Sequence, residues 1–243
     1  MASERLVVII PCLNEEQTLP TTVADVLAAA PKLGVELAIL LIDDGSKDGT
    51  RVVMEGLCKA DPRCHLVIHR ENRGTGRSVL EGFAWARPDD WVTAVPGDNE
   101  FVFESIHRFL EVRNKYDLIL GYFQNPIIRT LTRRVASNLF SQATRFAYGW
   151  KFTYLNGLML VKASFVQGIE VISSGHAFVP ELVAKAMLRH PLARVGEAPF
   201  AARGRAGGKT KAFTPRSIAR AAQEFAAGYR SVSAYRDQVR LKK

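Results

Sequence analysis

Four short polar clusters in the first hundred residues carry side chains suited to a charged ligand. Asp43 and Asp44 are adjacent in Asp43-Asp44-Gly45-Ser46-Lys47-Asp48-Gly49-Thr50. Neighbouring carboxylates repel each other, so holding both ionised is costly unless something uses them. A carboxylate there can accept hydrogen bonds from a nucleobase imide or from ribose hydroxyls; the plain alternative is a solvated turn. Asp98 and Glu100 alternate in Pro96-Gly97-Asp98-Asn99-Glu100. In extended backbone they point the same way. Two such oxygen ligands suit Mg²⁺ or Mn²⁺ bound jointly with a diphosphate; the alternative is a polar turn. In Asn72-Arg73-Gly74-Thr75-Gly76 the glycines permit close backbone approach, as in a phosphate loop. That string is neither a P-loop nor a full GxGxxG. Pro11-Cys12-Leu13-Asn14-Glu15 reads, taken alone, as a strand end followed by a helix cap.

The elements that must position these clusters alternate. Leu6–Ile10 is a continuous apolar run closed by Pro11, the pattern of a strand buried on both faces. Gln17–Ala30 is helical in composition and stops at Pro31. Leu37–Ile42 is a second buried strand, and Asp48 caps a helix that runs to about Ala60. Leu66–His69, Trp91–Val95 and Asp117–Gly121 read as further strands, with helices over 77–86 and Phe103–Lys115 between them. Such alternation predicts an α/β fold with a mostly parallel sheet flanked by helices. Ligands of these sheets bind at the carboxyl ends of the strands, and all four polar clusters fall there. Later come a basic helix over Thr130–Tyr148, a strand over Tyr154–Val161, a helix over Pro180–Arg189 and a strand over Arg194–Phe200. A glycine- and cation-rich loop spans Arg203–Lys211. The last helix, Pro215 to about Val239, carries Ile218, Ala222, Phe225, Tyr229 and Val232 at helical spacing among many arginines.

The chain has 243 residues, 47% apolar and 23% charged, which excludes a disordered protein. Its formal net charge of +9 is unevenly placed. Residues 1–117 hold 13 basic and 19 acidic side chains; residues 118–169 hold 6 basic and none acidic; residues 203–243 hold 11 basic and 2 acidic. The three cysteines, Cys12, Cys58 and Cys64, include no CxxC pair, which points to a reducing compartment rather than a disulfide or zinc framework. No secretory leader and no membrane span is expected. A cytoplasmic protein is expected, with peripheral attachment at the cytoplasmic membrane face through its basic amphipathic last helix or through a membrane partner protein. A packed stripe with solvated charges is the alternative for that helix. Nucleic-acid binding is not expected: no motif for it appears, and the acidic front repels phosphate.

The order P-x-x-N-E, D-D-G-S-x-D-G-T, N-x-G-x-G and an acidic strand end resembles the family-2 glycosyltransferases of GT-A (Rossmann-like) fold. Among them it is similar to dolichyl-phosphate mannose synthases and related polyprenyl-phosphate glycosyltransferases. The resemblance covers about residues 5–212. It implies an inverting, metal-assisted hexosyltransferase that moves a sugar from a nucleotide sugar (GDP-mannose or a UDP-sugar) to a polyprenyl or dolichyl phosphate. Residues 1–212 would form the GT-A domain, with a nucleotide-sugar and metal half (1–121) and an acceptor half (122–212); residues 213–243 would be a basic C-terminal helical appendage. Pro11, Asn14, Glu15, Asp43, Asp44, Ser46, Gly74 and Gly76 would bind the donor. Asp98 and Glu100 would be the catalytic pair and ligate Mg²⁺ or Mn²⁺. Arg133-Arg134-Val135-Ala136-Ser137 resembles an RRxxS segment, and Glu197 through Lys211 an E-x-P-x-x-x-x-R-x-x-G-x-S-K segment. Arg133, Arg134, Ser137, Arg203, Lys209 and Lys211 would hold donor diphosphate and acceptor phosphate. The chain departs from the pattern at Pro96 (first Asp of DxD), at Tyr122-Phe123 (after the fifth strand), at Thr153 (an Asp in relatives) and at Thr210. An inactive nucleotide-sugar-binding relative and a hydroxyl acceptor are the alternative readings.

The acceptor class has its own physical argument. A hydroxyl must lose a proton as it attacks and needs a positioned base. A phosphate monoester, with a second pKa of about 6, arrives ionised and needs cations instead. Cations are plentiful after residue 117 and position 153 lacks the acid, so a phosphate acceptor is expected. Glu181 and His176 are the candidate bases for a hydroxyl.

Overall fold

The computed structural model describes residues 4–124, 131–155, 157–203 and 215–241. Seven strands form one sheet: β1 (Arg5–Cys12), β2 (Glu36–Asp43), β3 (Cys64–Ile68), β4 (Trp91–Ala94), β5 (Leu118–Phe123), β6 (Met159–Lys162) and β7 (Val195–Phe200). Their order is β3-β2-β1-β4-β6-β5-β7. The pairs β1–β2, β2–β3, β1–β4 and β5–β7 are parallel, and β6 is antiparallel to both β4 and β5. β5 and β7 therefore run in the same direction as β1, and their carboxyl ends share its edge.

β1 is apolar from Leu6 to Cys12 and β2 from Leu37 to Ile42 because both faces are covered. Leu6, Val8, Ile10 and Cys12 of β1, with Leu37, Ile39 and Leu41 of β2, face one core. That core is closed by α1 (Leu19–Ala29), α2 (Thr50–Ala60) and α4 (Ile106–Val112). Val7, Ile9, Ala38, Leu40 and Ile42 face the other, closed by α3 (Thr75–Trp85), α6 (Ala163–Val166) and α7 (Phe178–Arg189). The period of two along each strand divides one apolar run between two cores.

α5 (Leu131–Tyr148) and α8 (Pro215–Leu241) complete the molecule. α8 packs on α7, and its Phe225 meets Phe140 and Tyr148 of α5 at ring distances of 5.7 and 6.3 Å. Tyr229 also contacts Tyr148, and Val232 is buried. Phe225, Tyr229 and Val232 of the stripe thus pack on the domain, while Arg220, Arg230 and Arg240 are exposed. No helix among the described residues is long and apolar enough to cross a membrane.

Several boundaries differ from the sequence reading. The strand expected over Tyr154–Val161 is confined to Met159–Lys162. Before it, Gly157 lies so close beneath Phe200 that a Cβ there would stand 2.6 Å from the ring, and the ladder begins only where Met159 pairs with Leu120. The helix expected from Phe103 opens with a tight 3₁₀ turn over Phe103–Ser105 and ends at Val112. Gly49, not Asp48, takes the N-cap place of α2, while the Asp48 carboxylate accepts from the Thr50 N–H at 3.0 Å and from the Thr50 hydroxyl at 2.5 Å.

Candidate functional site

The four polar clusters meet at the carboxyl edge of the sheet. β1 and β2 end in register, Cys12 beside Asp43, and the Asp44 N–H donates to the Cys12 carbonyl at 2.9 Å. Asn14 adopts a left-handed backbone (φ 60°) and joins the first two clusters. Its N–H donates to Ser46 Oγ at 3.0 Å, and its Oδ1 accepts from the Lys47 N–H at 2.8 Å. The Glu15 N–H donates to Thr50 Oγ1 at 2.8 Å, and the Glu15 carboxylate accepts from the Thr18 hydroxyl. Gly97 presses on Cys12 with no room for a Cβ, which brings the Asp98 turn against the end of β1.

The charge at this edge is negative. The Cys12 thiol is pushed well above its ordinary value, first by burial and then by the charges of Glu15, Asp43, Asp98 and Asp48. One buried thiol thus senses carboxylates from three of the clusters.

Asp43 and Asp44 are both buried but differ in role. Asp43 Oδ1 accepts the Ser46 N–H at 2.9 Å and fixes the turn after β2. Asp44 grips the glycine turn: its Oδ1 accepts from the Arg73 N–H and its Oδ2 from the Gly74 N–H, both at 2.8 Å. Asp44 Oδ1 also lies 2.8 Å from His69 Nδ1, and His69 Nε2 lies 2.7 Å from Glu81 Oε2. The cost of two adjacent carboxylates is met by internal partners. His69 and Glu81 were not singled out in the sequence; a histidine ending a short strand beside the other clusters was the available signal.

The glycines serve the chain's own packing. Gly74 has φ +89°, a region that favours glycine. A Cβ on Gly76 would stand 2.8 Å from the Phe178 ring, and the Gly76 N–H donates to the Ser174 carbonyl. The close approach expected for a phosphate is, at Gly76, an approach of residues 174–178. Pro11 is buried within β1, and its carbonyl accepts from the Gly97 N–H.

Asp98 and Glu100 flank Asn99, which has φ 53°. Both acids are half-buried, and Asp98 Oδ1 accepts the Glu100 N–H at 3.1 Å. Arg203 reaches the same turn from the far end of the sequence. Its N–H donates to the Glu100 carbonyl at 2.7 Å, and its guanidinium donates to Asn99 Oδ1 at 2.6 Å and Asp25 Oδ2 at 2.5 Å. Arg134 and Ser137 lie half-buried in the first turns of α5. Lys209 and Lys211 lie outside the described residues, as does the side chain of Arg133.

The two candidate bases fare differently. Glu181 is fully buried and accepts from the N–H groups of Ile172 and Ser173, the Ser173 hydroxyl and Lys185 Nζ at 2.7–3.1 Å. Burial pushes its carboxyl up, but those hydrogen bonds outweigh burial and hold it below the ordinary range. It is a clamp between α7 and residues 172–173, without a proton to exchange at neutral pH. His176 is exposed just before α7. Thr153 donates its N–H and hydroxyl to Glu197 at 2.6 and 3.2 Å.

No group of three or more His, Cys, Asp or Glu side chains able to hold a metal occurs among the described residues. Mg²⁺ commonly takes one or two carboxylates plus phosphate oxygens and water. The Asp98–Glu100 turn fits that shared mode and not a cage built from protein alone. A groove of about 910 Å³ runs along α3 and residues 166–172 toward Pro88, but none of the four clusters lines it.

The mostly parallel sheet with its flanking helices is a GT-A fold, and its carboxyl edge gathers an acidic turn, a glycine turn and a late arginine. The glycosyl transferase family 2 profile matches residues 7–169, and the chain belongs to that family. It is 34% identical over 155 residues to polyprenol monophosphomannose synthase of Mycolicibacterium smegmatis, covering 60% of this chain and 57% of the relative. It is 33% identical over 125 residues to undecaprenyl-phosphate mannosyltransferase of Micrococcus luteus, covering 50% and 49%. The chain thus spans about half the length of these curated relatives. In three dimensions it resembles glucosyl-3-phosphoglycerate synthase of Mycobacterium tuberculosis in complex with UDP: TM-score 0.65, 18% identity, 95% of this chain and 80% of that one. That likeness is one of fold.

Proposed function

We propose that the protein transfers a hexose from a nucleotide sugar to a polyprenyl phosphate with inversion, assisted by Mg²⁺ or Mn²⁺. The observation that carries this reading is how the acceptor half spends its carboxylates. Glu181 is locked by four donors and Glu197 by Thr153. An acceptor that must be deprotonated finds neither of them free and is left with the exposed His176 of the two candidate bases, whereas a phosphate brings its own charge. An acceptor phosphate oxygen attacks the anomeric carbon as the bond from that carbon to the donor diphosphate breaks, and the nucleoside diphosphate leaves. Asn14, Ser46 and Asp43 edge the nucleoside pocket; Asp44 shapes it by holding the glycine turn. Asp98 and Glu100 would hold the divalent ion, which supplies charge neutralisation of the leaving diphosphate. Arg203, already at that turn, places a cation beside the same oxygens. The names of the curated relatives support the acceptor class, and those relatives are named for different sugars.

The test is direct. Purified protein is incubated with Mg²⁺ or Mn²⁺, GDP- and UDP-sugars and polyprenyl phosphate, and lipid-linked sugar is measured. Transfer is expected from one donor, falling at least ~100-fold in Asp98→Ala. Donor binding without transfer to any acceptor would favour an inactive relative, a reading that Pro96 in the DxD position motivates. Transfer to a hydroxyl acceptor alone would reject the phosphate.

A further inference from the structure

Both ring nitrogens of His69 meet carboxylates: Nδ1 lies 2.8 Å from Asp44 Oδ1 and Nε2 lies 2.7 Å from Glu81 Oε2. The ring stands just beyond β3, where the His69 N–H donates to the Asp43 carbonyl at 2.8 Å and continues the β2–β3 ladder. The His69 and Asp44 side chains are 3% and 5% exposed, and that of Glu81, on α3, is 41% exposed. Arg73 Nη1 approaches Glu81 Oε2 at 3.8 Å, and Arg77 lines an open pocket with Arg73 and Glu81. Arg70 and Glu71, next in the chain, are exposed. Asp44, His69 and Glu81 thus form a line from the end of β2 to α3, with Arg73 beside its outer end.

Hydrogen bonding constrains the protons of this line. An ionised carboxylate only accepts, and a neutral imidazole donates from one nitrogen alone. Contacts to two carboxylates therefore need one proton more than a neutral ring and two ionised acids carry. Asp44 is a poor holder for it, because its oxygens already accept from the Arg73 and Gly74 N–H groups at 2.8 Å. Glu81 is no better, because water and the nearby Arg73 both favour its carboxylate. The ring is left to carry it. A histidine that only filled space would be served by one acid; the second acid is what asks for the second proton. We propose that His69 is a positioning residue for the nucleotide donor: donating from both nitrogens, it ties Glu81 of α3 to Asp44 and so holds the glycine turn at the donor edge. This rests on the reading of that edge as a nucleotide-sugar site. With one proton fewer, one of the two contacts sets a lone pair against a carboxylate, and the line parts. Asp44 then loses its backing, and the turn bonded to it through Arg73 and Gly74 loses its fixed path. Donor affinity therefore falls when the ring gives up its second proton.

The experiment reads the ring and the donor edge separately in the full chain. Nitrogen-15 spectra of labelled histidine, assigned by comparison with His69→Gln, are expected to show both His69 nitrogens protonated at neutral pH, and the Gly74 amide signal to move together with the ring signal as pH is raised. Calorimetry follows the affinity for UDP and GDP with Mg²⁺ over the same pH range. Wild type is expected to lose at least ~10-fold as the ring loses its proton, the equivalent of one charged hydrogen bond. In Glu81→Gln the amide donates to Nε2, so a neutral ring satisfies both neighbours, and that loss is expected to vanish. Ionisation of the nucleotide itself is common to both proteins, so the ratio of their affinities isolates the clamp. A wild-type ring protonated on one nitrogen only overturns the proposal. So does a Gly74 amide that ignores the ring, or a loss of affinity that Glu81→Gln shares. Wild type that binds neither nucleotide at any pH rejects the nucleotide-sugar reading and the donor role with it, while the ring and Gly74 signals still decide the clamp.

Discussion

Asp44 shows how a residue can belong to a site without facing the ligand. Its two oxygens accept from the Arg73 and Gly74 N–H groups and stand against His69, so it sets the path of the glycine turn. Leaving buried donors unsatisfied costs about 1–3 kcal/mol each, so Asp44→Ala is expected to destabilise the fold by roughly 2–4 kcal/mol. Denaturant titration measures the loss, and amide exchange at Arg73 and Gly74 locates it. Unchanged protection at those two amides would show that the clamp is not what holds the turn. Asp43, with one bond to Ser46, fixes only its own turn. The sequence places the two acids at a ligand-binding edge but does not divide their roles, because that division depends on the backbone path thirty residues later.

The joint of α7, α8 and residues 170–174 is polar where most helix joints are apolar. Lys185 is buried and donates to the Glu170 carbonyl at 2.7 Å, to Glu181 at 2.8 Å and to Ser231 of α8 at 2.7 Å. Ser173 and Ser174 carry the connection on to Gly76. Glu181→Gln leaves Lys185 as an uncompensated buried charge and is expected to cost about 3–5 kcal/mol at pH 7. The sign of the pH dependence follows from the Glu181 carboxyl lying below its ordinary value of 4.5 when folded. The stabilisation is complete above that value and is lost as pH falls below it and through the lower, folded-state value. Urea midpoints of wild type and variant should therefore begin to converge as pH falls below the ordinary value of 4.5; a gap that does not narrow on acidification would reject this origin. The spacing of Glu181 and Lys185 allowed an i,i+4 pair to be read, but nothing local told a solvated pair from a buried one. Likewise the stripe of α8 was legible, while what covers it was not, since α5 is some eighty residues away in sequence.

The layout of the sheet was legible in outline, because continuous apolar runs ending in polar turns leave few arrangements. The insertion of β6 between β4 and β5 was not, because a four-residue antiparallel strand carries no pattern of its own. The charge division of the chain gains meaning only in the folded molecule. Four acids of the front half, Glu15, Asp43, Asp98 and Asp48, lie around the buried Cys12 at the carboxyl edge of the sheet, and burial first and then their charges push its thiol up. Such an edge repels a nucleoside diphosphate unless a divalent cation accompanies it. On the proposed reading a cation takes the two carboxylates of the Asp98–Glu100 turn and completes its shell with phosphate oxygens. Metal and nucleotide should therefore bind as a coupled pair, each weakly alone. Thermal unfolding is expected to shift little with Mg²⁺ alone or with UDP or GDP in a chelator. With both, at about 100 times the dissociation constant, the gain should be about 2.7 kcal/mol, roughly 5–10 °C for a chain of this size. Asp98→Ala should keep the unliganded transition and lose the joint shift. A full shift with the metal alone would mean a preformed cage, and a full shift with the nucleotide alone would mean that other groups, Arg203 first among them, neutralise the diphosphate.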